Sequence, residues 1–370
     1  MNDPSRFTAT YEIRPCADES AEARARDITL EQTVELPAAV VPEAIAATMV
    51  GRVEALEPIE AGVWQARISY PLAAVGEELP QLLNVLFGNI SLKHGIRLVD
   101  VEWPEVLLAT FGGPGTGIAG IRALTGVHDR TLVATALKPM GLSARELAEY
   151  CRAFAVGGVD IVKDDHGLAN QASAPFDERL LRCQAAVTDV NAAEGTSAQY
   201  FPNVTAPWPT MMARAEAARA AGCRGVLVNA WVTGLDALAA LREEFGLALM
   251  AHPALTGTYF RPDHGIAAEL LLGDIFRIAG ADAVIYPNHG GRFGFSGALC
   301  ERINDHLRRP LAGLRTALPV PGGGISVDSA GDWARRYGHD TVLLIGGSLY
   351  AQQDLAAGAR MLNDAIRQAV

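Results

Sequence analysis

At 370 residues, with 49% hydrophobic side chains, the chain is long enough for two domains with sizeable cores. Its formal charge of −11 argues against nucleic acid or an anionic membrane surface as a partner. Cys16, Cys151, Cys183, Cys223 and Cys300 stand singly without CxxC spacing, the first residues hold no apolar leader, and no apolar run is long enough to span a bilayer, so a reduced, cytoplasmic protein is expected.

In chain order, TATYEIRP (Thr8–Pro15), TLEQTVEL (Thr29–Leu36) and VWQARISYP (Val63–Pro71) read as strands. AAVVPEAIAATMVGRVEAL (Ala38–Leu56) and ELPQLLNVLFG (Glu78–Gly88) read as helices between and after them. Helices laid on an antiparallel sheet predict a small α+β domain, of ferredoxin-like type, over residues 1–128. From residue 129 to 370, apolar runs alternate with helical stretches: TLVATALK, VDIVKDD, AQYFPNVTA, GVLVNAWV, LALMAHP, ADAVIYPN, LPVPGGG and TVLLIGG. Their number and spacing predict a (β/α)8 TIM barrel, placing the whole chain in the α/β class. Ser143 and Glu146 form a capping box for the first barrel helix, and Gly157–Gly158 stop it; the Ala-rich stretch from Trp208 closes at Gly222.

The chemistry concentrates in GGVDIVKDDHGLANQ (Gly157–Gln171). On a strand, Lys163 and Asp165 point to one side, and His166 follows where the strand opens into a loop. A lysine ammonium offers donors only, so by itself KDD reads as a strand-end ion pair. If CO2 carbamylates Lys163, however, Lys163, Asp165 and His166 make a three-point cage for a hard divalent cation. A barrel puts its chemistry at the C-terminal ends of its strands, and the polar candidates obey that rule. Lys138 ends the first barrel strand, Asn203 the third, Asn229 the fourth and His252 the fifth. Asn288, His289 and Arg292 follow the sixth. Gly323 and Gly324, then Gly346 and Gly347, follow the seventh and eighth, where side-chain-free backbone lets N–H groups approach a phosphate.

These segments together resemble the RuBisCO superfamily. The Lys–Asp–Asp run is similar to its metal-binding signature, ALKPMGLS (Ala136–Ser143) to the element supplying its proton-transferring lysine, and LFGNISL (Leu86–Leu92) to the segment whose asparagine reaches a neighbouring subunit's active site. PNHGGRFGFSG (Pro287–Gly297) resembles its mobile loop, and PVPGGGIS and LLIGGSLY resemble its phosphate turns. Order and rough spacing hold from about Thr29 to the end. The resemblance implies Mg2+ or Mn2+ on a Lys163 carbamate, Asp165 and His166, with the metal stabilising an enediolate. It implies Lys138 as the group moving a proton on carbon and His252 as one moving a proton on a substrate hydroxyl. Substrate contacts are implied for Asn89, Asn203, Asn288, His289, Arg292 and the four turn glycines, and Asn89 implies a homodimer or larger homo-oligomer.

Departures from the pattern bear on substrate. The family's third ligand is a glutamate, here His166, which shifts preference towards Mn2+ or softer ions. The second lysine of the carboxylases' KPK element is Met140, their loop lysine matches Arg292, and the residues gripping a second phosphate match Pro253, Ile285 and Gly322. The glutamate near the end of the first N-terminal helix is not evident around Thr48 to Arg52. CO2 fixation is therefore not expected, and the resemblance narrows to RuBisCO-like proteins acting on a monophosphorylated sugar-acid. HGLANQ (His166–Gln171), the PNHGGRFGFSG loop and Arg292 most resemble the apiose-pathway group, and Arg292 suits a carboxylate, so the first expectation is a lyase decarboxylating 3-oxo-isoapionate 4-phosphate. The alternatives are an enolase or isomerase of methylthioribulose 1-phosphate-type substrates, a transcarboxylase/hydrolase giving phosphoglycerate and glycolate, or a catalytically idle scaffold.

Overall fold

The computed structural model describes residues 3–369. The chain divides into two compact units. One runs to Phe111 and also takes in Leu255–Leu271 and Leu311–Gly313; the other holds Gly112–Ala254, Leu272–Pro310 and the remainder from Leu314. The sequence places the division at 128/129.

The first unit is built from β1 (Arg6–Ile13), β2 (Arg52–Glu60), β3 (Val63–Pro71) and β4 (Ile96–Glu102), in the spatial order β4-β1-β3-β2 with every neighbour antiparallel. A helix Ala21–Glu31 connects β1 to β2, and a helix Leu79–Phe87 connects β3 to β4, which is the βαββαβ ferredoxin-like pattern. A two-residue strand, β10 (Gly265–Ile266), adds in parallel beyond β4.

Two sequence expectations fail here. TLEQTVEL is not a strand: its first residues finish the helix Ala21–Glu31, which the Ser20 side chain caps by accepting the Ala23 N–H. That helix buries Ala21, Arg24, Ala25, Ile28 and Thr29, a spacing only a helix can place on one face. Ala38–Leu56 is not one helix either. Pro42 starts a short helix, Glu43–Met49, after which the chain extends into the edge strand β2. Glu54, Glu57, Pro58 and Glu60 along β2 disfavour pairing with a further strand.

The second unit is an eight-stranded parallel barrel. Its strands are β5 (Leu132–Leu137), β6 (Ile161–Asp164), β7 (Gln199–Phe201), β8 (Gly225–Val228), β9 (Ala248–Ala251), β11 (Ala283–Pro287), β12 (Leu318–Gly322) and β13 (Val342–Leu344). They follow one another around the sheet in the order β7-β6-β5-β13-β12-β11-β9-β8, and a single bridge between Asn203 and Leu227 joins the two ends. Side chains fill the interior, among them Leu132, Ile161, Phe201, Met250, Ile285 and Val320. Gly225 is required by that filling, since a Cβ there would stand 2.3 Å from the Phe201 ring. The capping box at Ser143 and Glu146 forms as expected, and the Trp208 helix ends at Ala220, just before Gly222. All five cysteines are free, and no helix among the described residues is long and apolar enough to cross a membrane.

Candidate active site at the barrel mouth

Lys163, Asp164, Asp165 and His166 leave β6 with four different fates. Lys163 is buried and its Nζ donates to the Asp164 carbonyl at 3.0 Å. Removing that ammonium from water is the main influence on it; Asp165 opposes the effect and Lys138 reinforces it, and the net result lowers Lys163 from 10.5 to about 8. Asp164 is fully buried and its carboxylate is consumed by the fold. It accepts from Arg179 Nε at 3.1 Å, the Tyr200 hydroxyl at 2.7 Å and the Asn203 N–H at 3.0 Å. Asp165 instead turns into the mouth, where its Oδ1 accepts from Lys138 Nζ at 2.8 Å and lies 3.5 Å from His166 Nδ1. Burial raises its carboxyl, but the His166 and Lys138 hydrogen bonds and the two lysine charges outweigh it and hold Asp165 well below the usual carboxylate range.

His166 stacks on His252, which stands just beyond β9. Burial above all, then the charges of Lys163 and His166, drive His252 well below the ordinary imidazole value. Its Nδ1 accepts the Ala254 N–H at 3.1 Å, so the neutral ring carries its proton on Nε2. Lys138 is half-exposed at the end of β5, and the Tyr350 hydroxyl secures that end by accepting the Lys138 N–H and donating to the Ala136 carbonyl, both at 2.9 Å.

Of the asparagines at the strand ends, Asn203 is taken up by the fold. Asn203 is fully buried, and its Nδ2 donates to the carbonyls of His166 (3.0 Å) and Leu168 (2.9 Å) while its Oδ1 accepts from Thr205. Its amide shapes the loop after β6 and is not free for substrate. Asn229 Nδ2 also donates to the His166 carbonyl, at 3.1 Å. Asn288 is buried and accepts the Tyr337 hydroxyl at 2.7 Å. His289 is exposed, with Nδ1 donating to the Phe295 carbonyl at 3.1 Å and its ring edge-on to Trp333; Arg292 is exposed and lies over the Phe293 ring.

The glycine turns separate into two kinds. Gly324 has φ +69°, and a Cβ there would stand 2.6 Å from Gly290 and Gly291 backbone atoms, so this turn is glycine because the loop after β11 packs on it. Gly346 and Gly347 face open space, where a Cβ would meet nothing within 4 Å. In the other unit, Asn89 Nδ2 donates to Glu31 Oε1 at 3.2 Å. Glu31 ends the first helix, so the Asn89 amide meets a carboxylate that the strand reading of TLEQTVEL did not place there. Arg179, Tyr200 and Tyr350 were also missed, because nothing in their local sequence marks a buried polar partner.

Among the described residues no three His, Cys, Asp or Glu side chains converge on a metal position. For a divalent cation, Asp165 and His166 would supply two donors, and a third would have to come from a carbamate on Lys163. The fit is chemically sound: Lys163 is buried beside Asp165 with a depressed pKa, and a neutral amine is the form that takes up CO2.

A family model for the ribulose bisphosphate carboxylase large chain, catalytic domain, matches residues 117–295. Ribulose bisphosphate carboxylase-like protein 1 of Rhodopseudomonas palustris is 40% identical, covering 99% of this chain and 97% of its own. The 5-methylthioribulose-1-phosphate isomerase of Rhodospirillum rubrum is 39% identical, covering 94% of this chain and 92% of its own. Among solved structures, a Rubisco-like protein from Rhodopseudomonas palustris superposes with a TM-score of 0.89 at 40% identity, covering 98% of both chains. The octameric ribulose-1,5-bisphosphate carboxylase/oxygenase of Pyrococcus horikoshii does so with a TM-score of 0.93 at 31% identity, covering 100% of this chain and 89% of that one. The chain belongs to the RuBisCO large-chain family, among its RuBisCO-like proteins.

Proposed function

We propose that the protein takes a proton from carbon beside the carbonyl of a monophosphorylated keto sugar and returns one to a neighbouring carbon, as an isomerase, or to oxygen, as an enolase, of the methylthiopentose phosphate type. The observation carrying this reading is the Lys138–Asp165 pair at 2.8 Å, which sets a proton carrier beside the donors Asp165, His166 and Lys163. The relatives reported above support it, since one nearly co-extensive with this chain is named as a 5-methylthioribulose-1-phosphate isomerase. Decarboxylation of 3-oxo-isoapionate 4-phosphate, the first expectation from the sequence, rests on the likeness of HGLANQ, the PNHGGRFGFSG loop and Arg292 and takes second place.

A divalent cation, Mg2+ or Mn2+, held by Asp165, His166 and a carbamate on Lys163 would supply Lewis acidity for the substrate carbonyl and its adjacent oxygen. Lys138 Nζ, aligned by Asp165, exchanges the proton on carbon. His252 presents Nε2–H and exchanges a proton with a substrate hydroxyl. The open backbone at Gly346 and Gly347 receives the single phosphate, Arg292 and His289 close over it from their loop, and Asn89 of a second copy completes the site in a homo-oligomer.

The test is an NMR assay of the purified protein with Mn2+ or Mg2+ and bicarbonate in D2O. Deuterium incorporation at carbon and an isomerised or enolised product from 5-methylthioribulose 1-phosphate or its diketo successor are expected. Release of CO2 from 3-oxo-isoapionate 4-phosphate, with the methylthio compounds untouched, would overturn the proposal in favour of the lyase.

A further inference from the structure

Three polar residues beyond the expected ligands form one continuous device behind His166. The Thr205 hydroxyl donates to Asn203 Oδ1 at 2.6 Å and accepts the Asn229 N–H at 2.9 Å. That stitch joins the ends of β7 and β8 just where the barrel sheet closes through the Asn203–Leu227 bridge. From the two strand ends, Asn203 Nδ2 and Asn229 Nδ2 converge on one atom, the His166 carbonyl oxygen, at 3.0 and 3.1 Å. Two residues upstream, the buried Asp164 carboxylate pins the same loop through Arg179, Tyr200 and the Asn203 N–H. His166 itself is half-exposed, and a short loop leaving a strand has no intrinsic reason to keep one conformation. Asn229 is the member without another visible task. Only its Nδ2 is engaged, and its buried Oδ1 has no partner among the described residues.

We infer that Asn229, oriented by Thr205, is a positioning residue that fixes the His166 backbone so that its imidazole lies against Asp165 and flat on His252. The inference rests on the reading of Asp165 and His166 as cation donors, and it adds the group that aims one of them. A side chain that orients a ligand without touching the ion typically changes metal affinity by about 10- to 100-fold when removed.

The experiment uses full-length protein in bicarbonate buffer, with Mn2+ binding followed by the electron paramagnetic resonance of the free ion. Histidine ring resonances of the metal-free protein are recorded in parallel. Asn229→Ala should weaken Mn2+ binding by about 10- to 100-fold, with unchanged circular dichroism, and the His166 ring protons should lose the ring-current shift that the stack on His252 imposes. Thr205→Val should act in the same direction with a smaller effect, and it carries the test if Asn229→Ala does not fold. Wild-type Mn2+ affinity and unshifted His166 resonances in both variants would overturn the inference. Asp165→Asn separates the two readings. If it too leaves Mn2+ binding unchanged, the cation site fails, and the His166 resonances of the metal-free variants alone decide the role of Asn229.

Discussion

The rings of His166 and His252 lie face to face, with centroids 4.2 Å apart and planes only 6° from parallel. A positive charge on the facing ring disfavours protonation of His252 in that geometry. His252 is the more buried of the pair, and Lys163 adds to its depression. In the metal-free protein its NMR titration should therefore fall well below the ordinary imidazole range. Lys163→Met removes a nearby positive charge and should move the midpoint upward, with His166→Ala moving it upward by less. An unperturbed midpoint in the wild type would show that His252 is solvated.

Lys163 carries a pH dependence of calculable sign. Its folded value of about 8 lies below the ordinary 10.5, so the unfolded chain binds the extra proton and burial of the ammonium opposes folding below pH 8. The penalty is relieved as pH rises from about 8 to 10.5 and amounts to about 3 kcal/mol. Lys163→Met should accordingly be more stable than the metal-free wild type at pH 7, and the advantage should shrink by pH 10 in urea denaturation. Carbamate formation at Lys163, read by 13C NMR with labelled bicarbonate, should rise over pH 7 to 9.

The adjacent aspartates should separate cleanly on substitution. Asp164→Asn leaves Arg179 buried without its charge partner and should cost about 3–5 kcal/mol of stability. Asp165→Asn should abolish Mn2+ binding and activity at a smaller cost in stability, because its hydrogen-bond partners Lys138 and His166 both reach solvent. Equal destabilisation by both, measured by thermal unfolding, would contradict this division.

Lys138→Met should leave Mn2+ binding in place and lower the rate of proton exchange at substrate carbon by about 100- to 10,000-fold. The check is deuterium uptake from solvent alongside a metal titration. Loss of the metal with the lysine would mean that Lys138 holds Asp165 in place and does no more.

Of the glycine turns, Gly324→Ala should be the structural one. Its positive φ and the 2.6 Å approach of the Gly290–Gly291 backbone predict a loss of about 1–3 kcal/mol. Gly347→Ala meets open space, so stability should hold while KM for a phosphorylated substrate rises.

The barrel was legible because each of its strands is buried on both faces and so reads as a short apolar run, from TLVATALK to TVLLIGG. The same logic failed in the first unit. RVEALEPIE forms β2, whose residues are mostly exposed, so no burial pattern marks it, and pairing with β3 alone decides its extended form. TLEQTVEL alternates like a strand, yet the Ser20 cap and the Ala-rich residues before it commit its start to a helix.

By itself the sequence determined the barrel, the order of its strand ends, and the set Lys138, Lys163, Asp165, His166 and His252, because covalent order and strand alternation dictate which residues reach the mouth. Only the tertiary structure decided that Asp164 belongs to Arg179, that Asn203 and Asn229 share the His166 carbonyl, and that two histidines 86 positions apart in the chain stack. Hydrogen bonds and ring contacts between separate strands depend on how the sheet closes, and closure is a property of the packed whole that no local pattern encodes.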